Sequence, residues 1–115
     1  MELNQIGFFQ FENLVQNRIP LVLVLLDPVD LKPWYNSVVN MHLQNVTLHC
    51  SPEQVLPEIQ NKKLPPHFAV IILDQNAEKS PAVAKTLEDA GYINVYYVKG
   101  GFTHLAKERE QESNR

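Results

Sequence analysis

An apolar run, "FAVIIL", stops at Asp74, and a mostly polar loop of Gln75, Asn76, Ala77, Glu78 and Lys79 leads on to Ser80-Pro81. Serine followed by proline is a helix opening, because the hydroxyl can cap the first turn and proline suits the first helical position. A short loop between a strand and a helix aims several backbone N–H groups at one point, with the positive end of the helix dipole behind them. Such a loop can hold an anion or present a reactive side chain; a plain polar turn is the alternative. Asp74 stands where a reactive group would stand. A second apolar run, "LVLVLL", also ends in aspartate, at Asp27.

Other residues of the right types give weaker patterns. "HCSPEQV" places Cys50 after a histidine, but a phosphatase-type loop needs an arginine after a five-residue spacer, and Leu56 stands there. A helix start follows Cys50 at once, so the cysteine reads as a small apolar strand-end residue. His42, His49, His67 and His104 show no ligand spacing, and one cysteine cannot build a structural zinc site, so neither a metal nor another cofactor is expected. Two strand-end aspartates and a lysine also raise a receiver-like phosphoacceptor at Asp74 or Asp27. That site needs an acidic pair for Mg²⁺, and Asp27 and Asp30 flank Pro28-Val29 at the wrong spacing.

The elements that must position these groups follow from periodicity. Phe8, Phe11, Leu14 and Val15 lie at helical spacing over residues 8–17. Residues 21–26 and 68–73 are continuous apolar runs, suited to strands buried on both faces of a parallel sheet, and 93–98, "INVYYV", is a third strong strand. Residues 28–40, with Pro28, Pro33 and Trp34, read as an irregular connection with one helical turn near 35–39, and 46–49 as a short strand. Ser51-Pro52 with Gln54 opens a helix to about residue 61. Val83, Ala84, Leu87 and Ala90 give the helix after Ser80 one apolar face, and Gly91 ends it. A last helix is expected over 102–107, then a frayed polar tail over 109–115. Trp34, Tyr35, Tyr96 and Tyr97 read as core and rim packing, with a partner surface as the alternative. Strands alternating with helices give an α/β fold, in which ligands bind beyond the carboxyl ends of the strands.

Several of these segments together resemble the rhodanese (thiosulfate sulfurtransferase) family. Its loop reads Cys-x-x-Gly-x-Arg-Ser, followed by a helix, a Gly-Tyr-x-Asn-Val stretch, and Gly-Gly with an aromatic. Gly91-Tyr92-Ile93-Asn94-Val95 and Gly100-Gly101-Phe102 match, as does Ser80; Lys79 stands for the arginine, Ala77 for the glycine and Asp74 for the nucleophilic cysteine. Upstream, Asp27 matches a strand-ending Asp-Val-Arg, with Val29 in place of the arginine. His42 and Leu43 match a Gly-His-Ile-x-Gly-Ala segment in which Met41 and Asn45 replace the glycines. The resemblance implies a three-layer α/β/α domain over residues 1–108, with a mainly parallel sheet of about five strands. It also implies the site: the loop of residues 74–80, with Asp27 and His42 as accessory positions.

In that family a cysteine thiolate takes up a sulfane sulfur as a persulfide, which a carboxylate cannot do. The expectation is a catalytically inactive rhodanese-like binding or regulatory module with no catalytic residue, in which Asp74 fills the anion cradle itself. A sulfurtransferase using another group is the enzymatic alternative. The chain has 115 residues, a net charge of −3 and 20% charged residues, which suits one globular domain and gives no basic patch for nucleic acid. With a single cysteine, no signal pattern in "MELNQIGFF" and no long apolar run, a cytoplasmic setting without membrane contact is expected. A protein is the expected partner, and a homodimer is compatible with the sequence.

Overall fold

The computed structural model describes residues 4–17 and 19–113. Five strands form one sheet: β1 (Asn4–Ile6), β2 (Leu21–Leu25), β3 (Thr47–His49), β4 (Ala69–Leu73) and β5 (Val95–Val98). Their order is β1-β5-β4-β2-β3 and every pairing is parallel. Five helices connect them: α1 (Phe8–Gln16), α2 (Ser37–Val46), α3 (Pro52–Asn61), α4 (Ser80–Asp89) and α5 (Gly101–Ser113). This is the parallel α/β fold that the alternation of elements predicts, in the three-layer, five-strand form that the family resemblance implies. No described helix is long and apolar enough to cross a membrane.

Side-chain alternation along the central strands divides the core in two. Leu21, Leu23, Leu25, Ala69, Ile71 and Leu73 face one side, where Phe8, Phe11 and Val15 of α1, Val39 and Leu43 of α2 and Leu105 of α5 cover them. Val22, Val24, Val70, Ile72 and Val95 face the other, under Val55 and Ile59 of α3 and Val83, Ala84 and Leu87 of α4. All five residues of β2 and of β4 are buried, which is why both read as unbroken apolar runs rather than alternating ones.

Three elements differ from the expectation. The edge strand β1 has only three residues, NQI, and no apolar run to announce it; it takes its partner from β5, with Ile6 opposite Val98. The stretch 28–40 is less irregular than its prolines imply. A 3-10 turn at Lys32–Trp34 leads into a full helix, α2, capped by the Asn36 side chain, which accepts from Val39 N at 2.9 Å. At the end of the chain, α5 continues to Ser113, through most of the segment expected to fray; residues 114 and 115 lie outside the described residues.

Trp34 helps hold α5 in place: its ring stacks on Phe102 with centroids 5.3 Å apart, and the Arg109 guanidinium lies 5.0 Å over its centroid. Next to it, Tyr35 Oη donates to Glu12 of α1, and burial together with that carboxylate pushes the phenol well above its ordinary range. These aromatics pack elements together, as the packing reading of Trp34 and Tyr35 predicts. Leu105 is fully buried beneath α5. Leu105→Ala is expected to cost about 2–5 kcal/mol, read as a lowered urea midpoint with an unchanged slope.

Candidate functional site

Strand order places the site. After β2 the chain moves outward to β3, and after β4 it moves the other way to β5, so the order reverses between β2 and β4. Helices leave those two strands toward opposite faces, opening a crevice at their carboxyl ends. Leu25 pairs with Leu73, and Leu26 N donates to Leu73 O at 3.0 Å, so the residues that follow emerge side by side. Asp27 and Asp74 therefore meet at one edge. With Pro28, Gln75, Asn76, Glu78 and Lys79 they line a crevice of about 330 Å³.

The loop of residues 74–80 does curl around a single point, and the Asp74 carboxylate occupies that point. Oδ1 accepts from Ala77 N at 2.9 Å and from Ser80 Oγ at 3.0 Å. Oδ2 accepts from Lys79 N at 2.7 Å and Ser80 N at 3.0 Å. Asp74 is only 1% exposed and Ser80 is fully buried. A buried carboxylate is tolerable because four donors replace its water, and the N-terminus of α4 stands behind it. Here the structure corrects the expected cap: Ser80 is the first residue of α4, its hydroxyl points back to Asp74, and Asp74 satisfies the free amides of the first turn.

The loop's carbonyls are held from the other side by α5. Phe102 N donates to Asp74 O at 2.8 Å, Thr103 N to Gln75 O at 3.0 Å, and the Gln75 side-chain amide to Thr103 Oγ1 at 2.9 Å. Gly101 makes this approach possible. It has φ +71°, and a Cβ there would lie 2.7 Å from Asn76 N, Ala77 N and Asp74 O. The physical role of the Gly-Gly-Phe segment is to let the start of α5 touch the loop. Thr103 carried no signal at all. Ala77 has φ +62°, the left-handed conformation that glycine adopts freely and alanine does not, at the position where the family loop has glycine.

Asp27 braces the outer side. Its Oδ2 accepts from Gln75 N at 2.9 Å and its Oδ1 from Lys79 Nζ. The Lys79 ammonium, then the Gln75 amide, hold its carboxyl below the ordinary carboxylate value, while the same contact raises Lys79. The other residues singled out by sequence stand apart. His42 is half-buried on α2 and does not line the crevice. Cys50 follows β3, and burial, then the Glu58 charge, push its thiol upward, which disfavours the thiolate a nucleophile needs. Asp30 Oδ1 accepts Lys32 N at 3.0 Å within its own turn.

Two measurements probe this arrangement. Asp74→Asn sets an amide NH₂ against amide donors and is expected to cost about 2–3 kcal/mol, more than a surface cap would, whereas Ala77→Gly is expected to stabilise by about 0.5–1 kcal/mol; denaturant melts of both variants against wild type check the pair. The pH dependence has a definite sign. Because the folded value of Asp27 is depressed, its contribution is present above the unfolded value of 3.8 and is lost as pH falls through the folded value. Asp27→Asn is expected to flatten the acid limb of the stability profile, read from thermal melts between about pH 5 and pH 2.

The family model for the Rhodanese-like domain matches residues 27–108. Among solved structures, the thiosulfate sulfurtransferase from Pseudomonas aeruginosa superposes with TM-score 0.67 at 16% identity, over 92% of this chain and 19% of that one. The chain thus spans about a fifth of that protein's length. The polysulfide-sulfur transferase homodimer from Wolinella succinogenes gives TM-score 0.61 at 18% identity, over 93% of this chain and 75% of that one. An uncharacterized protein from Saccharomyces cerevisiae gives TM-score 0.61 at 10% identity, over 97% and 98% of the two chains. No curated protein matches in sequence. At these identities the neighbours speak for the fold alone. The family model covers well over half of the residues, and the chain belongs to the Rhodanese-like domain family.

Proposed function

We propose that this rhodanese-like domain transfers no sulfur and works as a binding or regulatory module, with its loop held shut by its own carboxylate. The single observation behind this reading is the position of the Asp74 carboxylate among the donors of Ala77, Lys79 and Ser80. An incoming thiosulfate would need those same donors. A fixed negative charge about 4 Å from an anion costs roughly 4 kcal/mol at an effective dielectric near 20. Glu78 adds to that field at the crevice, and Lys79 is already committed to Asp27. A carboxylate also lacks the soft sulfur that a persulfide needs.

The enzymatic alternatives gain little from the residues that would carry them. Cys50 is half-buried, with its thiol shifted away from the reactive form. For a phosphoacceptor, both oxygens of Asp74 are engaged and buried, and both oxygens of Asp27 are taken by Gln75 and Lys79. What the loop offers to its surroundings is the exposed polar row Gln75, Asn76, Glu78 and Lys79, rigidly backed by α4 and α5. A protein partner in the cytoplasm, meeting this row, is the reading we favour. A second copy of the chain is one such partner; the Wolinella protein is described as a homodimer.

The expected outcome is that purified wild-type protein shows no thiosulfate-to-cyanide turnover and no persulfide by intact mass. Alongside, immobilised wild-type protein is expected to retain one partner from lysate that the charge-reversed Glu78→Arg variant loses. Turnover that survives Asp74→Ala and disappears in Cys50→Ser would overturn the proposal.

A further inference from the structure

The helices do not share the chain's charge evenly. Helix α1 has one charged residue, Glu12, and α2 has no lysine, arginine, aspartate or glutamate. By contrast, α3 has Glu53 and Glu58, α4 has Lys85, Glu88 and Asp89, and α5 is charged along most of residues 107–112. The two charge-poor helices are neighbours: both cover the same face of the sheet, and Tyr35, just before α2, donates to Glu12 of α1. Large apolar side chains stand exposed on them, Phe9 at 62%, Val38 at 51% and Met41 at 65%. Depleted charge with an exposed aromatic ring and methionine is the composition of a protein–protein contact rather than of a solvated face.

What covers this face follows from its hydrogen-bonding groups. Phe9, Gln10, Asn13, Gln16 and Asn17 form one exposed stripe of α1, centred on Asn13, and line a shallow depression. Glu12 is half-buried and turned to Tyr35. Gln10 Oε1 accepts from Gly7 N at 2.9 Å, and Asn13 Oδ1 from Asn17 Nδ2 at 2.6 Å. Among the described residues this leaves the NH₂ groups of Gln10 and Asn13, the Asn17 side-chain carbonyl and both ends of Gln16 open. A side-chain amide has donors and an acceptor, so it can bond to a copy of itself, whereas a carboxylate or an ammonium repels its copy. A two-fold contact sets a surface against itself, which this stripe tolerates. With two α1 helices antiparallel and the axis at Asn13, Gln10 meets Gln16 of the second copy, and Phe9 meets Asn17 at the end of the depression. A chain of net charge −3 meets its own copy here without setting like charges together at the centre of the contact.

We propose that the α1/α2 face is an isologous contact between two copies of this chain, with its axis near Asn13 and with Val38 and Met41 as an apolar shoulder. Helices of nine and ten residues make a small contact, so the dimer is a weak one. The depression shares no residue with the loop crevice, so both can be engaged at once, and failure of this proposal would leave the reading of Asp74 untouched.

Sedimentation velocity of the full chain from about 5 to 500 µM is the test. The expected result is a reversible monomer–dimer equilibrium with Kd on the order of 10–100 µM. It should change less than about twofold between roughly 50 and 500 mM salt, because the centre of the contact holds no charge. Asn13→Asp and Asn13→Lys, which set like charges across the axis, are each expected to weaken association at least about tenfold. An equimolar mixture of the two variants is expected to restore it, which also shows that both are folded. Glu78→Arg, in the loop row, is expected to leave the dimer unchanged. A chain that stays monomeric at the highest concentration would overturn the proposal. So would a dimer that keeps its strength in Asn13→Asp, variants that stay monomeric when mixed, or a dimer lost in Glu78→Arg, which would move the contact to the loop row.

Discussion

A carboxylate held inside its own loop is the interaction on which the rest of this site depends. Asp74 needs donors because it is buried, and the backbone of residues 77–80 needs an acceptor because α4 begins there. Each problem solves the other. The solution constrains the surroundings: Ala77 must take a left-handed conformation to turn its N–H inward, and the outward carbonyls of residues 74 and 75 must find donors on α5. Gly101 is the residue that lets α5 come close enough to supply them.

Asp27 shows how the same edge is tied across the sheet. It sits one strand away in space and 48 residues from Gln75 in sequence, yet it accepts that residue's amide and pairs with Lys79. Its carboxylate and the Lys79 ammonium balance each other at the surface, where solvent keeps such a pair modest in strength. The pair's role is geometric: it joins the ends of β2 and β4 at the point where the topology opens. The frame of the Rhodanese-like domain family is kept here, with the Asp74 carboxylate at the centre of its loop.

Much of this was legible in the residues themselves, for identifiable reasons. Strands β2 and β4 are buried on both faces, so they appear as unbroken aliphatic runs that no helix face would produce. Ser51-Pro52 with Gln54 announces α3, and the Gln54 side chain does accept Ser51 N at 3.0 Å. What escaped had no local signature. The three residues of β1 depend on β5 for their conformation. Helix α2 opens at Asn36 just after Pro33 and Trp34, whose turn chemistry masks it. The loop was legible as a cradle, and the shared spot of Asp27 and Asp74 followed from strand ends. The reversal of Ser80 from cap to donor was not legible, because a hydroxyl can serve either way and only the buried carboxylate decides which.

The pairing of β1 with β5 also sets an order of events in time. Gln5 lies opposite Tyr97, so the first strand of the sheet completes its ladder with the last. During synthesis β1 has no partner in the sheet until β5 has emerged. Parallel contacts between such distant residues close large loops and form slowly. The inner strands and α3 can assemble early, while closure of the sheet waits for the segment from β5 into α5. That segment also carries Gly101 and Phe102, so the loop around Asp74 acquires its final support in the same late step.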